Sequence, residues 1–261
     1  MTGATAAARG RDLRVRAVSG GVMIAVALAA LALGGVAFWL LAATAGLLMV
    51  AEWGGLAHAP LKRISLSLLF FAAAMLIASP FLAGPNRDAV AMLLTAALAV
   101  ALSAGGRQAA GLLYAGLPVI GLIFLRDRPD GIAITLWTLA IVWATDIGAY
   151  FCGRRFGGPR LAPGISPAKT WSGLIGGVAS AAVLGAVVAA ATGLPPMLLW
   201  LAAPLAVLAQ MGDLFESFLK RRASVKDSGR LLPGHGGALD RLDGVVPVAM
   251  LVSLLAAAEL L

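Results

Sequence analysis

This chain is dominated by a succession of apolar runs, each about as long as a bilayer is thick. A spanning helix needs roughly 20 consecutive, mostly apolar residues, with about 17 to 25 tolerated. Nine stretches meet that measure: approximately 17–34, 36–53, 64–83, 88–104, 108–125, 131–152, 171–192, 195–215 and 245–261. The chain is 61% hydrophobic and only 12% charged over 261 residues, so its solvent is the bilayer. Inside a bilayer every backbone polar group must be satisfied internally, which for runs of this length means helix. The expected fold is therefore all-α: a polytopic integral membrane protein of about nine transmembrane helices, with 1–261 as one membrane domain. Within it, 1–130 are helical spans on short loops, and 131–261 form a half with polar loops at 153–170 and 216–244.

Lys and Arg set the orientation. With the N-terminus in the cytoplasm, 17 of the 20 fall on the inner side, leaving Arg87, Arg126 and Arg128 outside. Arg9, Arg11, Arg14 and Arg16 precede the first run as they would in a signal peptide, but its long core and the spans that follow favour a retained helix. Both polar loops then face the cytoplasm, and the expected location is the plasma membrane, in a bacterium the inner one. The net charge of +8 follows largely from this bias and from attraction to anionic lipid headgroups. Basic and aromatic residues do not interleave as single-strand binders require, so no nucleic-acid partner is expected. Cys152 is the only cysteine, which excludes a disulfide or a Cys-based metal site within one chain.

Against this background the stretch 212–243 stands out. Its 32 residues hold 5 of the 12 carboxylates and 6 of the 20 Lys and Arg. Asp213, Glu216, Ser217 and Lys220 fall at i, i+3, i+4 and i+7, one face of a helix. Asp213 follows an apolar run, and an ionisable group at that depth faces a cavity or a partner. Glu216 and Lys220 also read as a plain i, i+4 pair. Asp240, Arg241 and Asp243 follow a Pro233-Gly234-His235-Gly236-Gly237 turn, where glycine allows main-chain N–H groups to approach phosphate oxygens. Asp213 and Asp240, from separate elements, are the hard oxygen ligands that Mg²⁺ takes one or two at a time. The bland reading is a Gly turn with surface Asp–Arg pairs. Lys226 and Asp227 lie between, and the run from Lys220 to Arg222 also serves as a topology signal.

A second polar stretch reads Thr145-Asp146, Ala149-Tyr150, Gly153-Arg154, Phe156-Gly157 and Ser166-Pro167-x-Lys169-Thr170. Asp146 sits within a predicted span, where a lone carboxylate is a functional candidate or an interhelical hydrogen-bond partner. Ser166 and Lys169 suit phosphate oxygens, and Lys169 suits equally an inside anchor. There is no P-loop and no G-x-S-x-G, and two distant histidines exclude a zinc protease. His58 and Glu52 are expected at the membrane edge.

Written out, 217–243 is Ser217-x2-Lys220-Arg221-x4-Lys226-Asp227-x-Gly229-x2-Leu232-Pro233-x-His235-Gly236-Gly237-x2-Asp240-Arg241-x-Asp243. This resembles the signature of the phosphatidate cytidylyltransferases, at fourteen fixed positions in 27 residues. The 145–170 stretch and Gly212-Asp213 resemble that family too; the N-terminal spans do so only in character. One departure is Ser172, where the family often carries Glu two residues after Lys-Thr, so position 172 is assigned no carboxylate role.

The resemblance implies transfer of CMP from CTP to phosphatidate, giving CDP-diacylglycerol and pyrophosphate, by a polytopic homodimer with Mg²⁺ and a second cation, K⁺ or Mg²⁺. It places Asp213 and Asp240 on the metal and gives Lys226, Asp227, Arg241 and Asp243 catalytic positions. Asp146, Ser166, Lys169, Lys220, His235, Gly236 and Gly237 are expected to bind substrate. Whether Asp227 and Asp243 hold the second cation or fix basic groups stays open, as does His235 as phosphate ligand or turn former. Two other readings are a cation-coupled transporter using Asp146 and Asp213, and CTP-dependent chemistry on a polyprenyl or ether lipid.

Overall fold

The protein was described from a computed structural model covering residues 19–229 and 236–261. Each apolar run falls on one helix: α1 (Ser19–Leu33), α2 (Gly35–Leu56), α3 (Leu61–Ile77), α4 (Arg87–Ala104), α5 (Gly106–Asp127), α6 (Gly131–Phe156), α7 (Trp171–Thr192), α8 (Leu198–Arg222) and α10 (Val245–Ala257). A one-turn helix α9 (Leu239–Leu242) precedes the last. Among the described residues, α2, α4, α5, α6, α7 and α8 are the 6 helices long and apolar enough to cross a membrane. α1 and α10 are shorter, and α3 has 17 residues. The 64–83 run continues in sequence past the end of α3, but Pro80 disfavours helix in the residue before it, and the helix stops at Ile77.

The all-α expectation needs one amendment. Strands β1 (Arg160–Ala162) and β2 (Ser166–Thr170) form an antiparallel hairpin, Arg160 opposite Thr170 and Ala162 opposite Ser166. Pro159, Pro163 and Pro167 exclude continuous helix there. At its end the Thr170 hydroxyl accepts from Gly173 N–H at 3.1 Å and so caps α7. The polar loops are correspondingly shorter than expected. α6 runs to Phe156, and α8 to Arg222, ending in Lys220, Arg221 and Arg222, where cations complement the helix dipole.

Two apolar clusters make the core. One draws on α1 to α5 together with Ala238, Leu239 and Val246; the other on the end of α5, with α6, α7, α8 and α10. α10 packs on α5, α6 and α8 and so serves both. α6 and α7 approach most closely, through small residues: a Cβ on Gly148 would meet the carbonyl of Gly176 at 2.7 Å, and one on Gly177 that of Thr145 at 2.8 Å. This contact holds the helix that carries Asp146. Gly148→Leu should force the pair apart, lowering stability by about 1–3 kcal/mol as overpacked cores do, read as a lower thermal midpoint in detergent; an unchanged midpoint would rule out the close packing.

Candidate functional site

α8 carries Asp213, Glu216, Ser217 and Lys220 on one helix, as their spacing predicts. It divides them between two groups. Toward the hairpin, Lys169 at the end of β2 forms an ion pair with Asp213, and Ser217 Oγ donates to Asp213 Oδ1 at 3.4 Å. Arg221 Nε donates to the Ile165 carbonyl at 3.2 Å, which fastens the hairpin to the end of α8. On α6, Asp146 lies within electrostatic reach of Asp213, Lys169 and Arg241. Asp243 joins from the turn into α10: burial raises its carboxyl, and the Asp213 charge raises it further. The Gly244 N–H, 2.7 Å from Asp243 Oδ1, opposes this. Gly212 lets α8 lie against this turn, because a Cβ there would run into the Asp243 carbonyl.

The second group is built around Lys220. Its Nζ lies 2.5 Å from Glu216 Oε2 and 2.6 Å from Asp240 Oδ1. Asp240 Oδ2 accepts from Ser228 N–H at 2.9 Å, Ser228 Oγ at 2.9 Å and Gly237 N–H at 2.8 Å. Burial alone would raise the Asp240 carboxyl. Hydrogen bonding with Glu216, Lys220 and the Gly237 and Ser228 amides outweighs it and holds the group at about 2, against an ordinary 3.8.

Asp240 thus acts on the turn itself, and Asp213 pairs with Lys169, not with Asp240. Among the described residues no shared contact joins Asp213 and Asp240, the pair expected on the metal. Gly237 N–H is likewise turned onto Asp240 and not outward, and glycine is required there for another reason: a side chain would collide with Ser228 and Glu52. Gly236 adopts φ 79°, in the left-handed region. Lys226, Asp227 and Arg241 are exposed, and Ser166 is half-buried in the hairpin. His235 lies outside the described residues. Ser172 donates to the Gly157 carbonyl and shares a 3.0 Å hydrogen bond with Thr170.

Three residues were not anticipated. Glu52, expected at the membrane edge, is only 5% exposed. From α2 it accepts Ala238 N–H at 2.8 Å, Leu239 N–H at 2.8 Å and Ser228 Oγ at 3.0 Å. Ser228 bridges the two carboxylates, with its N–H on Asp240 and its single hydroxyl proton within reach of both. Tyr114 on α5 sits between Trp53 and Phe215, its ring tilted against both at centroid distances of 5.2 Å and 5.6 Å. Glu52 was detectable as a lone carboxylate in an apolar run, the criterion that singled out Asp146. Ser228 and Tyr114 carry no such signal.

Fold and site together define a helical membrane protein with a two-part cluster of carboxylates and cations where α8, the hairpin and α9 meet. The chain belongs to the cytidylyltransferase family, whose pattern it matches over residues 14–258. It is 42% identical over 259 residues to a phosphatidate cytidylyltransferase of Brucella suis, covering 94% of each chain. A Rickettsia bellii protein of the same name is 39% identical over 151 residues, 53% of this chain and 64% of that one. Another, from Haemophilus influenzae, is 40% identical over 130 residues, 47% of this chain and 45% of that one.

Two predictions test the second group. Glu52→Ala strands the Ala238 and Leu239 amides, at about 1–3 kcal/mol for each unsatisfied buried donor. Amide exchange at Ser228 and Gly237–Leu239 should accelerate while helix content holds; unchanged protection would contradict the clamp. Because the Asp240 carboxyl is depressed, its contribution is complete above its unfolded value of 3.8 and is lost as pH falls through about 2. Exchange at the same amides should therefore rise over that window in wild type and show no such step in Asp240→Asn.

Proposed function

We propose that this protein transfers CMP from CTP to phosphatidate, yielding CDP-diacylglycerol and pyrophosphate, with Asp213 at the centre of a cation-assisted site. The observation that carries the reading is the convergence of Asp146, Lys169, Asp213, Arg241 and Asp243, three carboxylates and two cations from α6, β2, α8 and the α9–α10 segment. The names of the relatives support the substrates.

The reaction asks for positioning and charge stabilisation more than for a base. A phosphomonoester has a second pKa of about 6, so phosphatidate is already anionic at neutral pH. One of its phosphate oxygens bonds to the α-phosphorus of CTP as the bond to the bridging β-phosphate oxygen breaks, and pyrophosphate leaves with the electron pair. Lys169 and Arg241 orient and neutralise phosphate oxygens around this step, as preorganised cations do in phosphoryl transfer. Lys226 and Asp227, exposed beside the turn, complete the triphosphate contacts. Lys220, held by Glu216 and Asp240, keeps the turn in register with α8.

The donor set fits a hard divalent cation. Among the described residues no group of three or more His, Cys, Asp or Glu is arranged to hold a metal, and Mg²⁺ usually takes only one or two carboxylates, filling the rest of its shell with water and substrate phosphates. Asp213 would be one ligand, as expected from the sequence. Asp243 is assigned as the other, because Asp240 already accepts from Lys220, Ser228 and Gly237. When bound, the cation supplies positive charge to the polyphosphate. A second cation, K⁺ or Mg²⁺, would fall to Asp146.

The same reading places the site on the cytoplasmic side of a bacterial inner membrane, following the Lys and Arg bias. It counts α1, α3 and α10 as crossings as well, for nine in all, and takes the active form as a homodimer. The test uses purified protein in detergent with CTP, phosphatidate and Mg²⁺. Pyrophosphate release that EDTA abolishes is expected, with Asp213→Asn at least about 100-fold slower in kcat and still membrane-inserted. Normal turnover in Asp213→Asn would remove the cation assignment. Release only with a polyprenyl or ether lipid would move the substrate.

A further inference from the structure

A cavity lies between the two helical clusters. Its α2 wall is Phe38, Ala42, Ala45 and Met49, with α5, α6 and α10 opposite. Those four positions repeat at helical spacing and span about 16 Å of α2 at 1.5 Å per residue. One end is fixed by contact: Glu52, a turn beyond Met49, accepts from Leu239 N–H, so Met49 lies toward α9 and Phe38 toward the far side of the membrane. Arg241 is the one charged residue in the lining, beside Leu242 at the α9 end. The volume is about 150 Å³, room for a slender aliphatic segment and not for a headgroup with two tails.

An apolar cavity with one guanidinium in its lining is complementary to an amphiphile whose anionic group stays at the charged end. Arg241 lies two residues from Asp243 and reaches Asp146 electrostatically, so this end of the cavity adjoins the proposed reaction site. We infer that this cavity seats a segment of one acyl chain of the phosphatidate substrate, with the headgroup at Arg241 and the chain running toward Phe38. The inference rests on the phosphatidate reading and adds a specificity determinant to it: the depth of the α2 stripe limits chain length.

The test compares dihexanoyl- and dipalmitoyl-phosphatidate in mixed micelles with CTP and Mg²⁺. Ala42→Phe obstructs the far half of the cavity. KM for the dipalmitoyl substrate should rise roughly tenfold or more, the scale of a pocket misfit of about one methylene, while the dihexanoyl substrate and KM for CTP stay near wild type. Phe38→Ala opens the far end and should shift preference toward distearoyl over dipalmitoyl substrate. If Ala42→Phe fails to fold, that second shift carries the test alone. Equal effects on short and long chains, or no change in chain preference in either variant, would overturn the acyl site while leaving the reaction intact. No product from any phosphatidate with wild type would remove the substrate reading and this inference with it.

Discussion

One buried carboxylate holds the site together. Glu52 reaches from α2 to take the amides at the start of α9 and the Ser228 hydroxyl, joining the helices of the N-terminal half to the signature turn. Charged acceptors bond backbone donors about twice as strongly as neutral ones do, and at 5% exposure little water competes. Asp240 does the same from the other side, through Ser228, Gly237 and Lys220. Two carboxylates thus satisfy the amides of Ser228, Gly237, Ala238 and Leu239, which lie outside any long helix. The glycines follow from this, since a side chain at Gly229 or Gly237 would occupy the space of Glu52.

This arrangement separates the charged residues by role. Glu52, Glu216, Lys220, Ser228 and Asp240 are engaged with one another and with backbone. Asp146, Lys169, Asp213, Arg241 and Asp243 gather where α6, the hairpin and the α9–α10 segment converge on α8. In the proposed reaction the first set is scaffold and the second set meets phosphate and cation. The close packing of α6 on α7 and of Gly212 against the Asp243 carbonyl then positions the reacting groups, because rigid helices and not loops carry Asp146 and Asp213.

Much of this was legible in the sequence. Apolar runs located every long helix, because a spanning helix must be both long and apolar, and the i, i+3, i+4, i+7 set placed Asp213, Glu216, Ser217 and Lys220 on one helix. The signature named Ser217, Lys220, Asp240, Arg241 and Asp243, which the fold brings near α8 and α9. What it could not convey was pairing. Asp213 and Asp240 look alike as carboxylates near charged residues, and only the fold shows that one faces Lys169 while the other closes a turn. Glu52 is 176 residues from Ser228, a distance at which spacing carries no information. The hairpin was missed because the prolines marking it also mark a plain loop.

The central claim is that the charged cluster moves a cytidylyl group and not a phosphoryl group. The direct measurement is where the label goes when purified protein, phosphatidate and Mg²⁺ are given CTP labelled at either the α- or the γ-phosphorus. The account predicts α-label in the organic-extractable lipid and γ-label in pyrophosphate. γ-Label in the lipid, or label in no lipid product at all from protein that binds CTP, would contradict it.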